Sequence, residues 1–164
     1  MSSKNLSYTI SKTNKGFDLE KAIPSAIVKN ANEFIHPPIK NLGYKGILKT
    51  STEIKRWFKN SKDIEKEFTL TATLMERGGT GGAIFRNLYR NFLKEAYEIT
   101  NLEKIKEAHE LFTIIATQWT EVSSLLHQAG KTKDIAFINR AAGILVDLSA
   151  REKSAMEILA TLPH

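Results

Sequence analysis

Apolar side chains recur at helical spacing along most of this chain. The pattern is clearest in two long C-terminal stretches, over about 101–128 and 133–161, where apolar positions lie three and four residues apart. Two long amphipathic helices joined by a short turn are expected to pack as an antiparallel pair. Shorter stretches of the same period predict further helices over roughly 18–35, 51–58, 63–77 and 83–99. The sequence therefore predicts an all-α fold, with five to six helices in a compact bundle.

Glycine, asparagine and proline positions predict where these helices begin and end. Asn101 is a candidate N-cap for the first of the two long helices, and Ala129-Gly130 is expected to end it. The stretch Asn41–Lys49 is expected to form a loop, with Gly43 and Gly46 as turn residues.

The N-terminal residues differ from the rest, because residues 6–10 alternate apolar and polar side chains. This alternation allows at most one short strand, which cannot pair with itself and would need a partner surface. We therefore expect residues 1–16 to be an extension with this residual strand, and residues 17–164 to form a single helical domain.

Four glycines within five residues separate two predicted helices and form the most informative motif, Gly78, Gly79, Thr80, Gly81 and Gly82. Glycine lets the backbone approach a ligand closely, and a helix N-terminus presents unsatisfied N–H groups that favour anions. Arg77 precedes the motif and Arg86 follows it, so guanidinium donors can add to the backbone N–H groups. The candidate anion or phosphopantetheine site is therefore Arg77, Gly78, Gly79, Thr80, Gly81, Gly82 and Arg86.

The alternative is a tight helix–helix connection, in which Gly78 ends one helix and Thr80 caps the next. The motif is not a Walker P-loop, because no Gly-Lys-Ser/Thr sequence follows it. Under the ligand hypothesis, we expect Arg86→Ala to weaken anion binding and to leave the melting temperature nearly unchanged.

The amino-acid composition excludes several kinds of covalent link and functional site. The chain has no cysteine, which excludes disulfides, thiolate metal sites and cysteine nucleophiles, and no nucleophile–base set or metal-binding set is recognisable. Glu152 lies on the apolar stripe of the last predicted helix and needs a donor or cation as its partner. The net charge of +6 comes without a nucleic-acid-binding signature, so neither nucleic acid nor membrane is an expected partner. With no signal peptide or spanning segment, the expected location is cytoplasmic.

A family resemblance rests on Glu76–Ala96, which contains the glycine motif and the aromatic helix after it. This segment resembles the C-terminal domain of the butirosin biosynthesis protein H family. Supporting positions in the same order are Asn41–Ile47, Trp57, Gln118-Trp119 and Arg151-Glu152, and the likeness covers about residues 17–160.

The resemblance implies a role in thioester acyl transfer. Family members carry an upstream domain similar to papain-like cysteine peptidases, and that domain holds the nucleophilic cysteine. The butirosin protein moves an aminoacyl group from a carrier protein's phosphopantetheine arm to an aminoglycoside. This chain is then expected to be the accessory substrate- or carrier-binding half, not catalytic alone, with no covalently bound cofactor. Its expected partners are a separate cysteine acyltransferase domain or an acyl carrier protein; the alternative is a stand-alone helical interaction module or a decayed remnant without a ligand.

Overall fold

The structure is a computed structural model that describes residues 7–11, 16, 18–78 and 82–163. Within these residues it contains six helices and no strand, which confirms the predicted all-α fold. The helices are α1 Leu19–Ile35, α2 Gly43–Asn60, α3 Ile64–Arg77, α4 Ala83–Thr100, α5 Glu103–Thr132 and α6 Ile135–Leu159.

Helix α5 lies at the centre of the bundle and packs against α3, α4 and α6, while α6 also packs against α1 and α2. The α5–α6 pair is antiparallel, because the start of α5 meets the end of the chain. Lys104 donates to the Thr161 hydroxyl over 2.9 Å, and further along α5 Gln118 donates to Asp147 over 2.7 Å. The predicted antiparallel pair is therefore confirmed.

The core follows the apolar stripes that predict the helices. Phe68, Phe112, Leu126 and Leu148 are among its fully or almost fully buried side chains. Burying a side chain of this size contributes roughly 1.5–3 kcal/mol, so the bundle is stabilised mainly by these facing stripes. Asp63 and Asp134 cap α3 and α6 by accepting backbone N–H bonds in their first turns.

The predicted loop at 41–49 is wrong, because α2 begins at Gly43 and is eight residues longer than the predicted 51–58 helix at this end. Gly43 has a φ of +57°, and a Cβ there would lie 2.1 Å from the Phe34 carbonyl oxygen. A Cβ on Gly46 would lie 2.4 Å from the Asn41 carbonyl oxygen. These glycines therefore allow a close-packed helix start beside the end of α1, and do not form a free turn.

Two predicted helix ends are also wrong. Asn101 closes α4, with a left-handed φ of 52° and its N–H bonded to the Tyr97 carbonyl, while Leu102 precedes α5. Ala129 and Gly130 lie buried inside α5, which continues to Thr132. A Cβ on Gly130 would lie 2.9 Å from the Thr69 methyl carbon, so this glycine serves the contact between α5 and α3.

The alternating segment at 6–10 forms no strand over residues 7–10, and residue 6 lies outside the described part of the chain. Tyr8 and Ile10 are almost fully exposed, so no surface of the bundle covers them. None of the helices in the described ranges combines the length and the apolar content that crossing a bilayer requires.

Candidate functional site

The two described glycines of the motif have clear packing roles. Gly78 ends α3, and a Cβ there would lie 2.6 Å from a Leu74 methyl carbon. Gly82 is buried at the start of α4, and a Cβ there would lie 2.6 Å from the Cβ of Met75. These contacts agree with the tight-connection alternative at both ends of the motif. Residues 79–81, which include the candidate cap Thr80, lie outside the described residues.

The two arginines that flank the motif occupy different environments. Arg77 is exposed at the end of α3. Arg86, on the first turn of α4, is only 16% exposed along its side chain and points into the bundle. The structure therefore brings Gly82 and Arg86 together at the inner wall of a cavity, while Arg77 stays outside it.

A buried ion pair holds Arg86. Its Nε donates to Glu152 Oε1 over 3.1 Å and its Nη2 donates to Oε2 over 2.9 Å, so the two groups meet side by side. Glu152 is 1% exposed and also accepts the indole N–H of Trp119. The guanidinium lies over the Trp119 ring, 4.5 Å from its centroid. This network links α4, α5 and α6 through three side chains.

The network supplies the partner that the sequence requires for Glu152. A buried carboxylate needs compensating donors, and here a guanidinium and an indole provide them across 66 and 33 residues of sequence. The spacing of residues along a single helix cannot predict that Arg86 and Glu152, which lie on different helices, form a pair. The pairing also changes the expectation for Arg86→Ala, since removal of the arginine leaves a carboxylate buried without its cation.

A cavity of about 820 Å³ lies on one side of this network. It is lined by residues of α2, α3, α5 and α6, by Gly82 and Arg86 at the start of α4, and by Asn41 and Leu42, and it is open to solvent on one side. Its walls are largely apolar, with side chains that include Ile54, Leu74, Met75, Val122, Leu126 and Leu145. Both tryptophans of the chain, Trp57 and Trp119, also line it. We call this space the α2–α5 cavity.

The mouth of the α2–α5 cavity is polar. Lys49 is exposed there and donates to the Asn41 side-chain oxygen over 2.9 Å. Glu53 lies nearby and is paired with Arg56 over 3.2 Å, which offsets its charge. Lys49 was not among the predicted site residues, because α2 was predicted to start at Ser51 and the stretch that contains Lys49 was predicted to be a loop.

Trp57 marks the boundary between the cavity and the solvent. Its indole N–H donates to Glu67 Oε2 over 2.6 Å, and its ring stacks on Phe68 at 4.1 Å between centroids. The hydrogen bond from Trp57 is the main cause that lowers the pKa of the Glu67 carboxyl below its usual value.

A second, smaller depression of about 420 Å³ lies on the opposite side of Arg86. It runs between α1 and α4 and is lined mainly by aromatic rings, among them Phe34, Phe85, Tyr89 and Phe92. The Tyr89 hydroxyl is buried without a hydrogen-bond partner among the described residues, and burial raises its pKa strongly. We call this depression the aromatic groove.

The side chains that line these two regions are mainly apolar. Among the described residues, no three histidine, aspartate or glutamate side chains are grouped to hold a metal ion. Glu152 is fully engaged by Arg86 and Trp119, which suits a structural role in shaping the cavity. The residues present can enclose an apolar or mixed ligand and meet a negative charge at the mouth.

Comparison with known proteins yields one match. A family profile with the description "Domain of unknown function (DUF4872)" matches residues 1–159. No curated protein and no solved structure matches the chain. Because the profile covers nearly the whole sequence, the chain belongs to the family described as Domain of unknown function (DUF4872).

Proposed function

We propose that this chain is the accessory binding domain of a thioester acyltransferase system similar to the butirosin biosynthesis protein H family. It holds a substrate or the phosphopantetheine arm of a carrier protein, and a separate cysteine acyltransferase domain performs the chemistry. The observation that carries this proposal is the α2–α5 cavity, which the start of α4 borders at Gly82 and Arg86. Its volume of about 820 Å³ is within the usual range for small-molecule sites.

The cavity has apolar side chains inside and a positive charge at its mouth, which suits an elongated ligand with a negatively charged end. Such an arm is elongated, with a phosphate at one end and amide and hydrocarbon groups along its length. The cavity offers apolar walls inside and Lys49 at the mouth, and the start of α4 adds backbone N–H groups near Gly82. A phosphate at the mouth therefore meets positive charge, while the far end of the arm points toward the apolar interior.

The proposal assigns no catalysis to the chain alone. Acyl transfer through a thioester requires a thiolate or an equivalent nucleophile, and the sequence has no cysteine. The proposed partners are a cysteine acyltransferase domain and an acyl carrier protein, both expected in the cytoplasm. No cofactor is held covalently under this proposal, and the phosphopantetheine arm enters as a ligand of the carrier.

Isothermal titration with free phosphopantetheine tests this function. We expect saturable binding in the millimolar range or tighter, weakened about two- to fivefold in Lys49→Ala, because an exposed charge contact contributes roughly 0.2–1 kcal/mol. Lys55→Ala is the matched control, since this lysine is exposed on the same helix and does not line the cavity. Absence of saturable binding, both alone and with an acyltransferase domain added, contradicts the proposal.

The alternative is a stand-alone helical interaction module, and the outer face of α4 favours it. Phe85, Leu88, Phe92 and Ile99 follow one another at spacings of three, four and seven residues, and all are exposed. An apolar stripe of this kind is typical of protein-binding surfaces. Sedimentation analysis of a candidate partner with Leu88→Lys separates the two functions. Loss of association without any phosphopantetheine binding to the wild type supports the alternative.

A further inference from the structure

The indole and guanidinium groups that line the α2–α5 cavity are bonded to carboxylates that do not line it. Trp119 donates to Glu152, which is also paired with Arg86, and on the outer wall Trp57 donates to Glu67. The inner wall therefore has its strongest donors engaged by protein carboxylates.

Of the two threonines that line the cavity, Thr71 is partly exposed on α3, and Thr50 follows the same rule as the indoles. Thr50 donates its hydroxyl to the Gly46 carbonyl of its own helix over 2.9 Å. A polar ligand body entering this space would give up its bonds to water without equivalent bonds from the walls, which is unfavourable. Hydrocarbon entering the same space gains free energy in proportion to the apolar surface removed from water. The interior is therefore selective for hydrocarbon.

The mouth has the opposite character. Lys49 is exposed, and its one hydrogen bond goes to the neutral side chain of Asn41. The nearest carboxylate lining the cavity, Glu53, is already paired with Arg56. These three charged side chains sum to a net positive charge at the mouth, which favours a negatively charged ligand end there.

We infer that the α2–α5 cavity binds an unbranched hydrocarbon chain whose anionic end stays at the mouth beside Lys49. The chain lies against the apolar walls of α2, α3 and α5, and Arg86, held by Glu152, borders the inner end. This inference rests on the proposed function, because it concerns the same cavity, and it adds that a carrier arm bound there keeps its amide groups near the mouth and places only its hydrocarbon or acyl end against the apolar walls. Its test needs no carrier protein and no acyltransferase domain.

The experiment is a titration of the whole chain with hexanoate, octanoate and decanoate, each below its micelle concentration. Both tryptophans line the cavity, so intrinsic fluorescence reports binding directly. We expect the dissociation constant to fall about three- to fourfold for each added methylene that becomes buried. Lys49→Ala should weaken all three ligands by one common factor of about two to five, and Lys55→Ala should weaken none.

A substitution that fills part of the α2–α5 cavity tests whether the carboxylate ligands bind there. Thr71 is partly exposed on α3 and lines the cavity, so Thr71→Phe adds volume there without replacing a core side chain. We expect this variant to keep its melting temperature and to lose decanoate binding at least tenfold. Unchanged decanoate binding by a folded Thr71→Phe protein would overturn the inference.

The chain-length series separates this inference from the proposed function. Equal affinity for the three carboxylates overturns the hydrocarbon-selective interior. Phosphopantetheine binding without any carboxylate binding also overturns it, and leaves the proposed function in place. Failure of both phosphopantetheine and the carboxylates contradicts the two proposals together.

Discussion

The α2–α5 cavity and the aromatic groove share Arg86 as a lining residue. They differ in how completely their buried polar groups are hydrogen-bonded. Arg86, Glu152 and Trp119 are bonded to one another in the wall that the two regions share, with Trp119 lining the cavity and Glu152 lining the groove. On the groove side, the Tyr89 hydroxyl is buried with no partner among the described residues. The groove also exposes large apolar side chains such as Leu88, at 56% exposure.

This difference is consistent with two kinds of binding surface, one for a small molecule and one for another protein. The cavity is a largely apolar space in which the Arg86 guanidinium and both indole N–H groups are hydrogen-bonded before any ligand enters, as expected for a preformed small-molecule site. The groove is open, aromatic and incompletely satisfied, as expected for a surface whose exposed apolar stripe meets another protein. Arg86 belongs to both, so substitutions around it test how far the two regions depend on each other.

The largest effect is expected at the shared ion pair. Arg86→Met leaves Glu152 buried without its cation, and breaking a buried pair in this way costs about 3–5 kcal/mol of unfolding free energy. Urea denaturation measures the loss. Arg90→Met is the control one turn later, because its guanidinium contacts only the neighbouring Asn91 side chain among the hydrogen bonds described for it.

A double-mutant cycle then isolates the pair. Arg86→Met combined with Glu152→Leu should lose much less stability than the two single changes added together, because no charge remains buried alone. Additive losses would mean that the two side chains do not interact as the structure indicates.

An intermediate effect of opposite sign is expected in the groove. Tyr89→Phe removes a buried hydroxyl that makes no hydrogen bond, and an unsatisfied buried group costs about 1–3 kcal/mol. We expect the variant to be more stable than the wild type by about 1 kcal/mol in urea denaturation. A clear loss of stability would reveal that this hydroxyl has a partner and that the groove is as complete as the cavity.

A smaller, pH-dependent effect is expected at the cavity's outer wall. The folded-state pKa of Glu67 is lowered, so its contribution to stability is present above the unfolded-state pKa and is lost as the pH falls through the folded-state value. Trp57→Phe keeps the ring and removes the donor, so the Glu67 pKa should rise toward its usual value. Carboxyl NMR titration measures the pKa, and an unchanged value would contradict the role of Trp57.

The smallest effect is expected on the exposed stripe of α4. Leu88→Lys replaces a side chain that contributes little to the core, and surface changes of this kind usually alter stability by less than about 0.5 kcal/mol. Thermal unfolding measures this directly. A large drop in melting temperature would indicate that Leu88 is part of the folded core and not an unpartnered surface residue.

The helices themselves were predictable from sequence, because apolar spacing is a local property. The α5–α6 pair shows this best, since its stripes alone predict both its length and its antiparallel packing. Two glycines were misread, because their roles depend on contacts with other parts of the fold. Gly43 and Gly130 look like turn residues in sequence, and only the neighbouring Phe34 carbonyl and Thr69 methyl group explain their place in helices.

The site was predicted only in part, because it depends on contacts between distant residues. The glycine motif lies beside the start of α4, where Gly82 and Arg86 border the cavity. The partner of Arg86 lies 66 residues away on another helix, and the mouth at Lys49 depends on where α2 begins. Neither fact follows from spacing along one helix.

One measurement tests the central claim of a ligand-binding cavity most directly. The chain has only two tryptophans and both line the cavity, so its indole N–H NMR signals are two local reporters. During titration with phosphopantetheine, we expect both indole signals and the Gly82 amide signal to shift saturably, with little change at Leu88. No saturable shift, or shifts confined to the outer face of α4, would contradict the account.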